Sequence, residues 1–224
     1  MPNQGQDSRS YPPQYFAHSA NRHGNWHRLA DHLANVSKIA KEFLQGRNGA
    51  EEAALAGLLH DLGKYGDRFQ ARLHGKDQGL DHWSQGAWVA LAEHGAIAAA
   101  LAIQGHHIGL QRANTDALRR MNPQSLAQNH PFRLALSDSD CTHLKQRAEA
   151  EGVIIQKPSR TTLAHQNGMA QAVSAMLDVR LLFSCLVDAD FLDTESHFEG
   201  DAQGKRPRPE GPKLDTSAAL AALD

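Results

Sequence analysis

A histidine and an aspartate stand side by side at the end of an apolar run, as His60 and Asp61. The spacing of apolar residues in 55–62 predicts a buried helix, and Gly63 stands where such a helix can end. An imidazole and a carboxylate at a helix end can bind one metal ion, or the carboxylate can bridge two. Taken alone, the pair is more typical of a polar helix end, with Lys64 completing a surface ion pair. The chemistry therefore depends on the other residues that the chain can place beside this pair.

More side chains of the metal-binding type lie at the ends or on the inner faces of predicted helices. They are His32, His82, His106, His107 and Asp190. Singly, each has an ordinary interpretation, such as a buried core histidine or a polar turn. Together with His60 and Asp61, they exceed what one metal ion can bind, and they suit two metal ions bridged by a carboxylate. The two cysteines are not paired in a CxxC motif, which excludes a thiolate zinc site.

The donor types also limit the metal and the reaction. Imidazole and carboxylate donors suit two divalent transition metals such as Mn, Fe, Ni or Co, and carboxylates also accept Mg. Calcium prefers oxygen donors and fits a histidine-rich set poorly. Two metal ions about 3.5–4 Å apart clamp the attacking and leaving oxygens of a phosphoryl displacement and lower the pKa of a bound water. The residues therefore predict hydrolysis of phosphate esters.

Composition narrows the class of protein. The chain has 224 residues and a formal net charge of −2, so any contact with nucleic acid must be local rather than due to an overall positive field. The few, separated cysteines fit a reducing cytosol. We find no secretory signal and no apolar run long enough to span a bilayer. These features predict a cytoplasmic protein with no membrane partner.

The elements that must position the candidate ligands are mostly helices. Periodic apolar residues predict helices that begin at residues 26 and 82 and others that span 50–62, 67–73, 96–104 and 162–192. In the last of these, apolar residues such as Val173, Met176, Leu177 and Leu181 are expected to face the core. Residues 108–160 are polar and contain prolines, which predicts an irregular insertion with short helices near 115–120 and 138–151 and an extended piece at 153–155. The fold class is therefore an all-α helical bundle with an insertion.

Domain organisation follows from composition near the chain ends. Residues 1–16 are polar and predict a flexible lead-in. Residues 199–213 are rich in Gly, Pro and charge, which is typical of a linker. A new amphipathic segment starts at Leu214. We expect residues 1–198 to form one domain and residues 199–224 to form a linker and the start of a following segment.

The order of these residues resembles the HD phosphohydrolase superfamily. The finer resemblance is to the HD nuclease domain of the CRISPR-associated helicase–nuclease of type I systems, and the stretch 182–195 is most similar to the subtype I-C branch. The resemblance covers residues 15–198. The stretches that carry it are 17–19, 26–33, 56–64, 69–70, 81–87, 105–107 and 181–193.

The resemblance implies a metal-dependent nuclease that acts on single-stranded DNA. It assigns one metal to His32, His60, Asp61 and Asp190, and a second metal to Asp61, His82, His106 and His107. It gives catalytic roles to His60, Asp61 and Lys64, with Lys64 steadying the phosphate or the attacking water.

Other residues receive lesser roles by the same resemblance. Asp188 is a rival to Asp190, and the residues that follow each aspartate favour Asp190. His18 and Ser84 are expected to support ligands or to contact phosphate. The remaining histidines are interpreted as ordinary polar residues: His23, His27, His74, His94, His130, His143, His165 and His197.

Partners are implied by the resemblance and by what the chain lacks. The sequence contains no GxxxxGK[ST] phosphate loop, so a helicase domain or subunit would supply the strand, acting on DNA opened by an RNA-guided CRISPR surveillance complex. Arg68, Arg72, Lys76 and Arg112 could line a local groove for single-stranded DNA. Two alternatives remain open: a nucleotide phosphohydrolase of the same superfamily, and a non-catalytic binding module with a relic metal site.

Overall fold

Apolar residues at helical spacing fold most of the chain into packed helices. The computed structural model describes residues 14–162, 169–201, 211 and 215–222, and helix is the commonest structure within them. The predicted all-α bundle is confirmed, and so is the irregular insertion at 108–160. The lead-in before residue 14, most of the predicted linker and His165 lie outside the described residues.

The described elements alternate long helices with short connecting pieces. The helices are α1 (Leu29–Phe43), α2 (Ala50–Leu59), α3 (Asp67–Leu73), α4 (Ser84–Ala92), α5 (Ile97–Gly105), α6 (Thr115–Arg119), α7 (Pro123–Gln128), α8 (Cys141–Ala150), α9 (Met169–Glu199) and α10 (Thr216–Ala221). The strands are β1 (Phe16–His18), β2 (His27–Arg28), β3 (Leu80–Asp81) and β4 (Ala135–Leu136). β1 pairs antiparallel with β2, and β3 pairs parallel with β4. A 3-10 turn, Leu62–Tyr65, follows α2.

The bundle brings α1, α2, α4, α5 and α9 around one core. α1 packs against α2 and α9, and α5 packs against α4 and α9. α5 is rich in buried alanine, which allows its neighbours to approach closely. α4 lies so close to α2 that a Cβ added at Gly86 would overlap the carbonyl oxygen of Leu59. This contact presses the end of α2, which bears His60, against the start of α4, which follows His82.

Two helix ends near the predicted site differ from the sequence interpretation. α1 begins at Leu29 rather than residue 26, because His27–Arg28 pairs with the strand that contains His18. α2 ends at Leu59, so Gly63 is not the helix stop. Instead, Gly63 is buried, and its N–H donates to the carbonyl of His82 at 3.0 Å. A Cβ at Gly63 would lie 2.6 Å from that same carbonyl oxygen, so glycine permits the close approach.

The insertion is built from short capped helices. The side chain of Asn122 accepts hydrogen bonds from the backbone at the start of α7, with Pro123 in its first turn. This helix was missed because six residues show little periodicity. The extended piece predicted at 153–155 is not part of a sheet, although Val153 is buried. The strand in this region is Ala135–Leu136, which attaches the insertion to the residues before His82.

The buried face of α9 was partly mispredicted. Val173, Met176 and Leu177 are exposed, as is Leu181, whereas Ala175, Val179, Leu182, Leu186 and Ala189 are among its buried residues. The buried face of α9 includes the small residues Ala175 and Ala189, and large apolar residues lie on the exposed face, so apolar character alone did not identify the inward side. None of the helices within the described residues is both long and apolar enough to cross a membrane. The domain boundary near residue 198 stays a prediction.

Candidate metal centre

The two carboxylate oxygens of Asp61 face two separate groups of histidines. Oδ2 lies 3.2 Å from His32 Nε2 and 3.3 Å from His60 Nε2. Oδ1 lies 3.4 Å from His82 Nε2 and 3.9 Å from His106 Nε2. Asp61 itself is buried. A single carboxylate therefore stands between two donor sets, as a residue that bridges two cations must.

The first donor set joins three helices. His32 comes from α1, His60 from the end of α2 and Asp190 from α9. Asp190 Oδ1 lies 3.4 Å from His32 Nε2 and 3.7 Å from His60 Nε2. With Asp61, these residues offer four donor atoms that all lie within 4.8 Å of one another. Asp188 is exposed, so the structure brings Asp190 and not Asp188 to this cluster.

The second donor set lies where α4 begins and α5 ends. His82 precedes α4, and His106 and His107 follow the last turn of α5. His107 Nε2 lies 3.0 Å from His82 Nε2, and one donor atom each from Asp61, His82 and His107 fall within 4.8 Å of one another. His107 is exposed, whereas His82 is buried, so this side of the centre opens to solvent.

Backbone carbonyls determine which ring nitrogen faces the centre. The Nδ1–H of His60 donates to the Gly57 carbonyl at 2.9 Å, and the Nδ1–H of His106 donates to the Ile103 carbonyl at 2.7 Å. Each Nε2 is thereby directed toward Asp61. Within the described part of the chain, His60 Nε2, His106 Nε2 and Asp61 Oδ1 are buried without a hydrogen-bond partner. Buried polar atoms without partners are costly, and convergent donors of this kind fit a divalent cation.

The buried carboxylates of the centre favour positive charge beside them, as the pKa shifts of the neighbouring groups show. Burial alone would lower the pKa of His60, but the carboxylates of Asp61 and Asp190 outweigh it and raise that pKa to about 10. Burial would raise the pKa of Asp61, yet Lys64 and His60 hold it well below its usual value. In contrast, burial lowers the pKa of His106 to about 3. The carboxylates of Asp61 and Asp190 thus favour a positive charge at His60.

Lys64 lies on the Oδ2 side of Asp61. Its Nζ is 2.6 Å from that oxygen and 5.3 Å from the centre of the Phe69 ring. The side chain is almost fully buried because the 3-10 turn points it inward. The predicted surface ion pair is therefore a buried one, at the edge of the first donor set.

The HD domain family model matches residues 29–149, which is more than half of the chain. The chain belongs to the HD domain family. HD domains are generally metal-dependent phosphohydrolases, and this HD domain has histidine and aspartate groups that could hold a metal ion. The matched segment contains every predicted ligand except Asp190, which α9 contributes from beyond it. No curated protein matches the chain.

Sequence reasoning missed Asp193, which organises one side of the centre. Its Oδ2 accepts a hydrogen bond from His32 Nδ1–H at 2.7 Å and lies 3.3 Å from His27 Nε2. Its Oδ1 accepts from the Asn35 amide at 3.0 Å. Asp193 thereby turns His32 Nε2 toward Asp61. The available signal was its position three residues after Asp190, on the same face of one helix.

His27 was wrongly interpreted as an ordinary polar residue. Its Nδ1 lies 3.2 Å from His18 Nδ1, and its ring stacks on His197 with centroids 4.6 Å apart. Burial lowers the pKa of His18 to about 2 and that of His27 to about 4, so both imidazoles are neutral at pH 7. His18, predicted to support the site, lies in this layer of rings beside His32.

A second buried aspartate, Asp81, holds the loop that carries His82, on the side of the centre opposite Asp193. It accepts hydrogen bonds from the backbone N–H groups of Trp83 and Ser84, from Ser84 Oγ at 2.5 Å and from His130 Nε2 at 2.9 Å. Ser84 is fully buried and so supports the loop that carries His82 rather than contacting phosphate. His130, interpreted from sequence as ordinary, connects this loop to the insertion.

Only some of the four cations predicted to line a groove for single-stranded DNA are free of ion-pair or ring contacts with other side chains in the described part of the chain. Arg68 pairs with Asp77 at 2.8 Å, and Arg72 lies over the Phe69 ring. Lys76 and Arg112 are exposed. The cations that could meet a substrate must therefore be sought in other segments as well.

Proposed function

We propose that this HD domain is a metal-dependent nuclease that hydrolyses phosphodiester bonds in single-stranded DNA. The observation that best supports two metals is the arrangement at Asp61, whose two oxygens face different histidine sets. The proposed ligands of one metal are His32, His60, Asp61 and Asp190, and those of the other are Asp61, His82, His106 and His107. Mn, Fe, Ni or Co suits these donors, and Mg is also compatible.

The chemistry divides between the metals and the chain. When bound, two divalent metals supply a water of lowered pKa and neutralise charge on the phosphate. His60 and His106 are held by backbone carbonyls, so their donor atoms are already aimed before binding. Lys64 is the one protein cation beside Asp61 among the described residues, and we assign it to a phosphate oxygen or to the attacking water.

The side from which substrate approaches follows from exposure. His32 and His60 are fully buried, whereas His107 is exposed and the Asp190 side chain is 25% exposed. A phosphodiester therefore reaches the centre across His107 and Asp190. An open approach suits a strand that continues past the site on both sides, as a nuclease requires.

We further propose a role in CRISPR type I interference in the cytoplasm. The support is the sequence resemblance, which includes the stretch 182–195, together with a phosphate-directed site that reads no bases. A helicase domain or subunit would deliver the single strand, and an RNA-guided surveillance complex would select the target. Specificity would then belong to these partners, and the isolated domain would cut slowly and without sequence preference.

Cleavage of circular single-stranded DNA tests the proposal, with Mn, Fe, Ni, Co, Zn and Mg titrated separately. We expect cleavage with at least one transition metal, none in EDTA, and little on duplex DNA. Asp61→Asn should abolish cleavage, whereas Asp188→Asn, an exposed aspartate on α9, should leave it unchanged. Hydrolysis of free deoxynucleotides without DNA cleavage would favour the nucleotide phosphohydrolase instead, and absence of bound metal at neutral pH would favour the binding module.

A further inference from the structure

A cavity of about 640 Å³ lies between the end of α5 and the insertion. Its floor includes the buried residues Gln104, Met121 and Leu126, and its rim includes the exposed Arg120 and Phe132. A cavity of this size accommodates a nucleotide or a similar group. The mixture of an apolar floor and a polar, aromatic rim restricts what it can bind.

Two residues of the pocket lining connect it to the metal centre. Ile108, which lines the pocket, directly follows His107. Gln104 Oε1 lies 3.2 Å from Ser84 Oγ, which donates to Asp81. His130, which stands between the lining residues Asn129 and Pro131 in the chain, donates to the same Asp81 carboxylate. The floor of the pocket, through Gln104, and the segment 129–131, through His130, are therefore joined by hydrogen bonds to the loop that presents His82.

The insertion around the pocket is locally basic. Residues 108–133 contain four arginines and one aspartate, a formal charge of +3, although the whole chain carries −2. The arginines are Arg112, Arg119, Arg120 and Arg133. All four are exposed, and none forms an ion pair with any described residue. Arg68 and Arg147, by contrast, pair with aspartates.

The rim also offers an aromatic face and amide groups. Phe132 is 51% exposed beside Asn129 and Gln111. An exposed aromatic ring next to unpaired arginines is the combination that binds single-stranded nucleic acid, since a base stacks on the ring and the phosphates attract the cations. A purely apolar ligand would fit the floor of the pocket but would leave the exposed arginines without a role.

We propose that this pocket binds a nucleotide of the substrate strand next to the phosphate held at the metal centre. Phe132 stacks on its base, and Arg120 pairs with the adjoining backbone phosphate. The inference rests on the proposed nuclease function and names where its single strand is held. It also identifies a local basic surface that an overall charge of −2 conceals.

Binding measured without metal separates the pocket from catalysis. Fluorescence anisotropy of a labelled twelve-residue oligothymidylate, in EDTA and low salt, reports the Kd of the full chain. Arg120→Gln and Phe132→Ala should each raise the Kd about tenfold, the range measured for single stacking and phosphate contacts. Arg120→Gln should also reduce the dependence of log Kd on log salt by about one contact. Matched controls are Arg47→Gln and Phe43→Ala, which are exposed at the end of α1 away from the pocket.

The outcomes distinguish this inference from the proposed function. Unchanged unfolding temperatures would show that the pocket variants remain folded. If both then bind like the wild type while the wild type cleaves DNA, the pocket assignment is wrong and the nuclease stands. If both lose affinity but no metal supports cleavage, the pocket is supported and the nuclease fails. Tighter binding of the matching oligouridylate would overturn DNA as the ligand.

Discussion

His32 and Asp193 are joined by a buried hydrogen bond of 2.7 Å that spans 161 residues of the chain. The carboxylate accepts from Nδ1–H, so Nε2 of His32 faces Asp61 and Asp190. Asp190 and Asp193 lie one turn apart on α9. A single turn of this helix therefore supplies one proposed ligand and also orients another.

The first prediction concerns this orienting contact. Asp193→Asn removes the charge that holds His32, and we expect metal affinity to fall about 10–100-fold, as for other carboxylates that support histidine ligands. Isothermal titration with Mn²⁺ measures the change. Asp188→Asn is the control, because its carboxylate is exposed on the same helix. Equal affinity in the two variants would contradict the role given to Asp193.

The second prediction separates the bridging ligand from a ligand of one metal. His82→Gln should weaken only the second site, so raising the metal concentration should restore part of the cleavage rate. Asp61→Asn should stay inactive at every metal concentration, because Asp61 contacts both histidine sets. Rate against metal concentration for each variant provides the measurement. Identical curves for the two variants would show that the ligands are divided incorrectly.

The third prediction concerns packing between α2 and α4. Gly86→Ala introduces a Cβ that overlaps the Leu59 carbonyl, and we expect the free energy of unfolding to fall by about 3 kcal/mol or more. Gly75→Ala is the comparison, because its φ of +72° carries only the penalty for left-handed backbone, about 1 kcal/mol, with no atom nearby. Urea unfolding measures both values. A smaller loss at Gly86 would show that the two helices can separate.

The fourth prediction is acid sensitivity of the metal-free protein. Because burial depresses the pKa of His18 to about 2 and that of His27 to about 4, the unfolded chain binds protons below pH 6.5 that the native chain does not. Stability should therefore fall from pH 6.5 toward 4, by up to about 1.4 kcal/mol per pH unit for each histidine. His60, with its raised pKa, acts in the opposite direction only above pH 6.5.

Urea unfolding in EDTA at pH 7, 6 and 5 tests this dependence. His27→Gln removes one of the depressed groups, so the loss of stability between pH 6 and 5 should be smaller in that variant. A wild-type stability that is constant or increases as the pH falls would rule out buried neutral imidazoles at these positions.

Helix positions and ligand types were predictable because both depend on local pattern. Periodic apolar residues located the major helices. Residue chemistry, with the resemblance favouring Asp190 over Asp188, selected the six side chains that the structure places around Asp61. Asp193, His27 and His130 were not predictable in this way. Their roles depend on partners more than 20 residues away, and a single histidine or aspartate has no local feature that reveals such a partner.

The inward side of α9 was unpredictable for a related reason. Its exposed and buried faces both contain large apolar residues, such as Leu177 and Leu182. Which face is buried is decided by the packing of α9 against α1 and α5, and that face includes small residues such as Ala189. Within the insertion, α7 escaped prediction because this short helix depends on a capping residue, Asn122, rather than on periodicity.

The position of α9 near the end of the described chain has a consequence for biosynthesis. A ribosome releases His32, His60 and Asp61 well before it releases Asp190, and N-terminal segments begin to fold first. Until α9 is made and docks between α1 and α5, the first donor set lacks a carboxylate and His32 lacks its orienting partner. The candidate metal centre is therefore completed by a late folding event, because a chain whose α9 has not yet been made cannot assemble the first donor set.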